Sequence, residues 1–164
     1  MVIGESYIGA GDEAAHINTV LGDRLGPVGA AWATALATPR TGHTPFVAIL
    51  RPGLPVRPLT LFVSKAPVAD DRHAALTWGA AQAGVAGGVA DAVAQGVLGE
   101  DEARECVLIA AVWVSPAARN EHLVYTNNRA AVTQALRAGA AGSPELAEVL
   151  AAREDPHNPY FGSR

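Results

Sequence analysis

The sequence of 164 residues has the length of one ordinary domain, and 49% hydrophobic against 17% charged residues is enough to bury a core. Twelve basic and sixteen acidic residues give a net charge of −4 without a Lys/Arg cluster, which argues against nucleic acid as a partner. The single cysteine, Cys106, excludes an intramolecular disulfide and a multi-cysteine zinc site, so a reducing compartment fits and we expect a cytoplasmic protein. No run reaches about 18 apolar residues, so we expect no membrane span.

The first half of the chain predicts a hairpin, a helix and two further strands. Alternating polar and apolar positions over residues 1–9 and a short-period pattern over residues 14–21 indicate two strands joined by a glycine-rich turn. Residues 27–38 predict a helix that begins at a proline and ends before another. The bulky runs 46–50 and 59–64 indicate strands, and the prolines between them indicate a stiff extended linker.

The second half of the chain predicts longer helices around one apolar strand. Residues 70–98 favour a helix that is broken once, near Gly79 or Gly84. Residues 107–114 are apolar throughout and predict a central strand. A short helical turn over residues 100–105 precedes this strand, and residues 120–138 predict the next helix.

Small residues recur every four positions in the long helical region and predict a tight contact with a subunit or with the sheet. They are Gly84, Gly88, Ala92 and Gly96. Near the C-terminus, Ser143 is the predicted cap of a short last helix. We therefore divide the chain into a domain over residues 1–152 and a polar tail over residues 153–164.

The predicted elements indicate an α/β fold, a single compact two-layer domain in which a β-sheet packs against helices. Aromatic residues make up only 5% of the chain, and the apolar content is mostly Ala and Val. Because such small side chains leave the core of one chain incomplete, we expect a homo-oligomer.

One histidine stands out among the few residues that carry an identifiable chemistry. Residues 9–14 match a loose dinucleotide fingerprint, but the next residues open a helix poorly, so a plain turn is favoured. His16 follows this turn, and it is either a proton donor or acceptor near neutral pH or a hydrogen-bonded strand histidine. The five histidines show no metal-ligand spacing, and we expect no metal site.

Lys65 and Gln82 are further polar candidates. Lys65 is the only lysine and closes a predicted strand, where it holds an anionic group, forms a Schiff base with a carbonyl, or is a solvated charge. Gln82 lies among alanines and either binds a ligand through its amide or faces solvent. Cys106 has no histidine near it in sequence, so it is interpreted as a strand residue and not as a nucleophile.

A series of short motifs runs in one order along nearly the whole chain, except the tail. The motifs are Gly4-Glu5, Gly9, Gly11, Glu13, Ala15-His16-Ile17, Gly22, Arg24, Pro27, His43-Thr44, Leu54-Pro55, Pro58, Thr60-Leu61, Lys65, Arg72, Gly79, Ala81-Gln82, Gly84-Val85-Ala86, Asp91-Ala92-Val93-Ala94 and, more loosely, Tyr125 and Arg129. Together they resemble the formaldehyde-activating enzyme family, whose members condense formaldehyde with tetrahydromethanopterin.

The resemblance implies a fold like domain 2 of ribosomal protein S5 and a homopentameric ring with the pterin bound between subunits. It implies that His16 is the general acid or base. The pterin-contacting positions of the family fall on Asn18, Val47, Lys65, Pro67 and Gln82. The family pattern has an aspartate at the position of Asn18, a threonine at that of Pro67 and a leucine at that of Val47.

The implied function is that of a hydro-lyase, a carbon–oxygen lyase, in one-carbon metabolism or formaldehyde detoxification. Its partners are formaldehyde and a reduced pterin as co-substrate, and no resident cofactor is implied. Two alternatives remain open. One is aldehyde condensation with a different amine, pterin or folate acceptor, and the other is a non-catalytic ring that binds a pterin or an aldehyde adduct.

Overall fold

A computed structural model describes residues 1–158 of the chain. The strands within these residues are β1 Val2–Ile8, β2 Ala15–Asp23, β3 Pro45–Val47, β4 Ile49–Arg51, β5 Leu54–Pro55, β6 Leu59–Ser64 and β7 Cys106–Trp113. The α-helices are α1 Pro27–Ala37, α2 Asp71–Ala75, α3 Gln82–Ala94, α4 Glu100–Glu105, α5 Glu121–Ala141 and α6 Leu146–Ala152. None of these helices is long and apolar enough to cross a lipid bilayer.

Five strands form one mixed sheet in the order β1, β2, β7, β6, β3. β1 and β2 form the predicted antiparallel hairpin, and its turn holds a short 3-10 helix, Gly11–Glu13. β2 pairs with β7 in antiparallel orientation, and β7 pairs with β6 in parallel orientation. The prediction of a central strand is therefore confirmed, because the apolar strand β7 has neighbours on both sides and lies in the middle of the sheet.

Helices cover one face of the sheet and enclose the core there. α5 packs on β1 and β2, and α3 packs on α5 and on the sheet. Alternate residues of β2, among them Ala15 and Ile17, are buried on this face. α1 lies on the opposite face at one end only, where Val28 packs against Gly22 of β2. The predicted α/β class, with a sheet packed against helices in a single domain, is confirmed.

The predicted strand over residues 46–50 is divided into two. β3 extends the main sheet beside β6, whereas β4 pairs with β5 in a separate hairpin. Between them the buried Ala48 donates its N–H to the Thr60 carbonyl and accepts from the N–H of Val56. The proline-rich segment is thus a hairpin and not the predicted extended linker, because Gly53 supplies the positive φ of 78° that a tight turn needs.

The last helix begins later than predicted. α6 starts at Leu146, and Ser143 does not cap it. Instead the N–H of Ser143 donates to the Ala138 carbonyl, so this residue belongs to the C-terminal end of α5, which closes at Gly142 with a φ of 68°. The predicted Ser143 cap is wrong because Ser143 is hydrogen-bonded to the C-terminal end of the preceding helix.

A π-helical segment, Leu76–Ala81, joins α2 to α3 and includes one of the two predicted break points, Gly79. The three segments follow one another without an intervening turn. The predicted break is therefore a local widening of a continuous helix.

Small residues of α3 let it lie close against α5. A Cβ on Gly84 would lie 2.5 Å from the Tyr125 carbonyl oxygen, and a Cβ on Gly88 would lie 2.3 Å from that of Arg129. The predicted contact with a subunit or the sheet is therefore wrong for these two glycines, since their partner is another helix of the same chain. Gly96 lies beyond the end of α3, in a turn with a φ of 71°.

One bidentate ion pair joins the same two helices. Arg129 donates from Nε and Nη2 to the two carboxylate oxygens of Asp91 at 2.6 and 2.8 Å, and from Nη1 to the Tyr125 hydroxyl at 2.7 Å. The hydrogen bonds from Arg129 lower the pKa of Asp91, so this carboxylate keeps its charge to lower pH than an ordinary aspartate does.

The α3–α5 contact predicts that Gly88→Ala lowers the free energy of unfolding by about 1–3 kcal/mol, because the added methyl group overlaps the backbone of α5. The matched control is Gly79→Ala, since a Cβ there meets no atom within 4 Å. This control is expected to keep the free energy of unfolding or raise it by up to about 1 kcal/mol. Denaturant unfolding measures both, and equal stabilities would contradict the close helix contact.

Candidate active site

The face of the sheet opposite α3 and α5 is open at one end. Side chains alternate between the two faces of a sheet, so the strand register decides which residues meet there. Glu5 pairs with Asn18 and Tyr7 pairs with His16 across the hairpin, while His16 also pairs with Trp113 of β7. Because α1 covers only the far end, these five residues lie on the uncovered part, which we call the open face.

A depression of about 980 Å³ lies on the open face next to the hairpin turn. The described residues that line it are Glu5, Tyr7, Gly9, Ala10, Gly11, His16, Lys65, Trp113, His157 and Asn158. The residues that carry polar or aromatic side chains, except His157 and Asn158, are held by β1, β2, β7 and the end of β6. The depression therefore combines a carboxylate, two imidazoles and an ammonium group on a largely rigid sheet, which suits acid–base chemistry on a polar substrate.

A carboxylate on the neighbouring strand holds His16 in place. The Nε2 of His16 lies 3.0 Å from Oε1 of Glu5, and the two side chains are 39% and 59% exposed. Burial lowers the pKa of His16, the charge of Lys65 lowers it further, and Glu5 opposes both effects. Since the neutral imidazole donates from Nε2 to Glu5, its Nδ1 is the atom that can exchange a proton with a bound molecule.

Lys65 stands beside the same depression at the end of β6. Its backbone N–H donates to the Val112 carbonyl at 2.9 Å, which extends the β6–β7 pairing by one residue. Its Nζ donates to Oδ1 of Asn18 at 2.5 Å. Burial lowers the pKa of Lys65, and Glu5 opposes this shift. The acceptor is a neutral amide, so the contact with Asn18 leaves the positive charge of Lys65 uncancelled.

The structure brings His16, Asn18 and Lys65 together and places the other predicted contact residues elsewhere. Val47 pairs with Leu61, and Leu61 shares a face of the sheet with Lys65 because side chains alternate along β6. Val47 therefore lies on the same side of the sheet as Lys65, but it is not among the residues that line the depression. Pro67 is exposed on the segment after β6, where it faces Gly42.

Gln82 lies within the helical layer and away from the open face. It is the first residue of α3 and is buried, with its Oε1 accepting the backbone N–H of Ile49 at 2.5 Å. Within one chain its amide oxygen therefore holds β4 against α3. Its predicted contact with a pterin stays a prediction.

Most residues of the depression were not singled out as site residues from the sequence, among them Glu5, Tyr7 and Trp113. Glu5 lies opposite Asn18, and Tyr7 lies opposite His16; aligning the two predicted strands about their turn would have found both. Trp113 reaches His16 through the β2–β7 pairing, which joins residues about a hundred positions apart and leaves no local signal in the sequence.

The remaining histidines differ in their surroundings. His73 is buried, with Nδ1 accepting the Ala69 N–H and Nε2 lying 3.0 Å from the Val114 carbonyl oxygen, so it holds the start of α2 to the end of β7. His43 and His122 are exposed outside the depression. Among residues 1–158, no group of three or more His, Cys, Asp or Glu side chains is placed to hold a metal ion.

The charges around His16 predict the direction in which substitutions move its pKa. Lys65→Met and Asn18→Asp are both expected to raise it, because one removes a nearby positive charge and the other adds a negative charge. Glu5→Gln is expected to lower it, because the carboxylate that favours the imidazolium is lost. An NMR titration of the imidazole ring in the four proteins measures these shifts, and a fall of the His16 pKa in Lys65→Met would contradict the proposed electrostatics.

The sequence matches the family described as formaldehyde-activating enzyme (Fae) over residues 3–161. A bifunctional enzyme Fae/Hps of Archaeoglobus fulgidus is 39% identical over 162 residues, which are 99% of this chain and 41% of the relative. A second bifunctional enzyme Fae/Hps, from Methanothrix thermoacetophila, is also 39% identical and is covered to 42%. The chain thus spans about two fifths of the length of these bifunctional relatives.

A shorter relative is covered almost completely. The 5,6,7,8-tetrahydromethanopterin hydro-lyase of Methanosarcina barkeri is 40% identical over 159 residues, which are 97% of this chain and 89% of the relative. The family match over residues 3–161 reaches every strand of the sheet. The chain therefore belongs to the formaldehyde-activating enzyme family.

Proposed function

We propose that the protein is a hydro-lyase that condenses formaldehyde with tetrahydromethanopterin to methylene-tetrahydromethanopterin. The observation that carries this proposal is the pairing of His16 with Glu5, beside Lys65, in an open depression of the sheet. The proposal is supported by the family match and by the hydro-lyase of M. barkeri, most of whose length the chain covers.

The reaction needs a proton at a leaving oxygen. A first amine nitrogen adds to formaldehyde and gives a carbinolamine, whose hydroxyl leaves as water once it is protonated. A second nitrogen then closes the resulting iminium into a methylene bridge. His16 supplies the proton from its Nδ1, and Glu5 stabilises the imidazolium that carries it. A positioned acid of this kind contributes roughly 10²- to 10⁴-fold in rate.

Lys65 acts in binding. Its ammonium group points to Asn18 and keeps its positive charge, so it attracts a carbonyl or an anionic group of the acceptor. The same charge lowers the pKa of His16, which makes its imidazolium a stronger acid. Val47, Pro67 and Gln82 are proposed as further pterin contacts, which the family resemblance supports.

We also propose a homo-oligomer, the pentameric ring of the family, with the pterin held at the boundary between subunits. The open face supports this, because a neighbouring chain would close a depression that one chain leaves open to solvent. Ile3 and Tyr7 expose apolar surface on the edge strand β1, which a partner would cover. We place the enzyme in cytoplasmic one-carbon metabolism or formaldehyde detoxification.

The proposed function predicts that the purified protein accelerates formaldehyde consumption by tetrahydromethanopterin above the spontaneous rate, which absorbance measures. Bovine serum albumin at equal concentration controls for reaction of formaldehyde with protein amines. No acceleration over this control would exclude tetrahydromethanopterin as the acceptor.

A different acceptor is the second candidate, favoured by the neutral amide of Asn18 at the Lys65 contact and by the exposed Pro67. The same assay with tetrahydrofolate and small amines separates the two candidates. Binding of the pterin without turnover in any of these assays would indicate the non-catalytic ring.

His16 and Lys65 are expected to affect different kinetic constants. His16→Ala is expected to lower kcat by roughly 10²-fold or more, because a proton donor acts in the transition state. Lys65→Ala is expected to raise KM roughly tenfold or more with a smaller effect on kcat, because a charged hydrogen bond to the bound acceptor is lost. Circular dichroism and light scattering must show both variants folded and assembled as the wild type. Full turnover in such a His16→Ala protein would rule out its role as acid.

A further inference from the structure

The condensation requires a proton acceptor as well as a proton donor. Formaldehyde and two N–H groups give an N–CH₂–N bridge and water, so one proton joins the leaving hydroxyl and one is lost from the second nitrogen. His16 gives the first proton under the proposed function. His16 is neutral after this transfer, but its Nδ1 then adjoins the departing water, so a second acceptor beside the second nitrogen speeds the ring closure.

The described residues that line the depression offer few such acceptors. Lys65 is an ammonium donor with Asn18 as its acceptor, and an imidazole is a far better proton acceptor than the hydroxyl of a phenol such as Tyr7. Glu5 orients His16, because its Oε1 lies 3.0 Å from the Nε2 of the imidazole. His157 is the remaining titratable side chain among the described lining residues, and it comes from the opposite end of the chain.

The surroundings of His157 fix which ring atom can accept a proton. Its Nδ1 lies 3.0 Å from the carbonyl oxygen of Asp155 and 4.0 Å from Oδ2 of the same residue. A carbonyl oxygen only accepts, so Nδ1 carries the hydrogen and Nε2 carries the lone pair in the neutral ring.

We propose that His157 is the second proton-handling residue of this site, accepting at Nε2 the proton that the second nitrogen of the amine co-substrate releases on ring closure. The proposal rests on the proposed function. It also gives the tail a role: residues 153–158 return the chain from α6 to the depression and carry an imidazole to its rim. His16 ends the turnover deprotonated and His157 ends it protonated, and water resets both.

Three variants test this role in the formaldehyde and tetrahydromethanopterin assay. His157→Gln and His157→Ala remove the base, and the 63% exposure of this side chain means that no core packing is lost. We expect both to lower kcat roughly 10²-fold with KM nearly unchanged, and added imidazole to restore part of the activity of His157→Ala. The matched control is His122→Gln, an exposed histidine outside the depression, which is expected to keep the wild-type kcat.

The other outcomes overturn the proposal. A kcat within twofold of the wild type in both His157 variants would leave the proposed function standing and show that His157 takes no proton. Normal kcat in His157→Gln with a raised KM in His157→Ala would show that the tail only shapes the depression. A wild-type protein that does not accelerate the reaction would overturn the proposed function and this inference together.

Discussion

The pairing of β2 with its two neighbours is the constraint on which the candidate site depends. The side-chain period of a strand is two, so a slip of one residue would turn His16 and Asn18 into the core and move Ile17 to the open face. Burial of a side chain such as Ile17 contributes about 1.5–3 kcal/mol, and several such residues along β2 therefore hold one register. The core thus determines the geometry of the site.

The helices on the other side of the sheet also help to determine the geometry of the site. Gly84 and Gly88 allow α3 to approach α5, and the Arg129–Asp91 ion pair fixes the two helices together. Both helices lie on one face of the sheet, and the opposite face is covered only at its far end, by α1. The end next to the hairpin turn remains available for a substrate or for a second copy of the chain.

Much of the fold follows from patterns that are local in the sequence. Alternation predicts the hairpin, and a continuous apolar run predicts the central strand β7, because burial on both faces removes polar positions. The errors have two causes. The carbonyl of Ala48 accepts from Val56 and so ends β3, a contact between residues eight positions apart that the strand pattern does not show. Ser143 belongs to the end of α5, where the local signal of Gly142 outweighs the serine as a cap for α6.

The candidate site also has some residues that the sequence predicts and others that only the folded chain shows. Lys65 was predictable because it is the only lysine, and His16 because it follows the glycine-rich turn; the family resemblance, now confirmed by the match over residues 3–161, names both as well. Trp113 and His157 reach the depression through the β2–β7 pairing and the returning tail, so only the folded chain shows them. Gln82 was named from the sequence, but in the folded chain its amide oxygen accepts the backbone N–H of Ile49 and lies away from the depression.

A crystal structure with tetrahydromethanopterin bound tests the central claim most directly. The account predicts that a reacting nitrogen of the pterin lies within about 4 Å of the Nδ1 of His16, room enough for formaldehyde, on the open face beside Lys65. A pterin bound instead in the second depression, of about 930 Å³, beside Gly79 and Tyr125 at the start of α5, would contradict it.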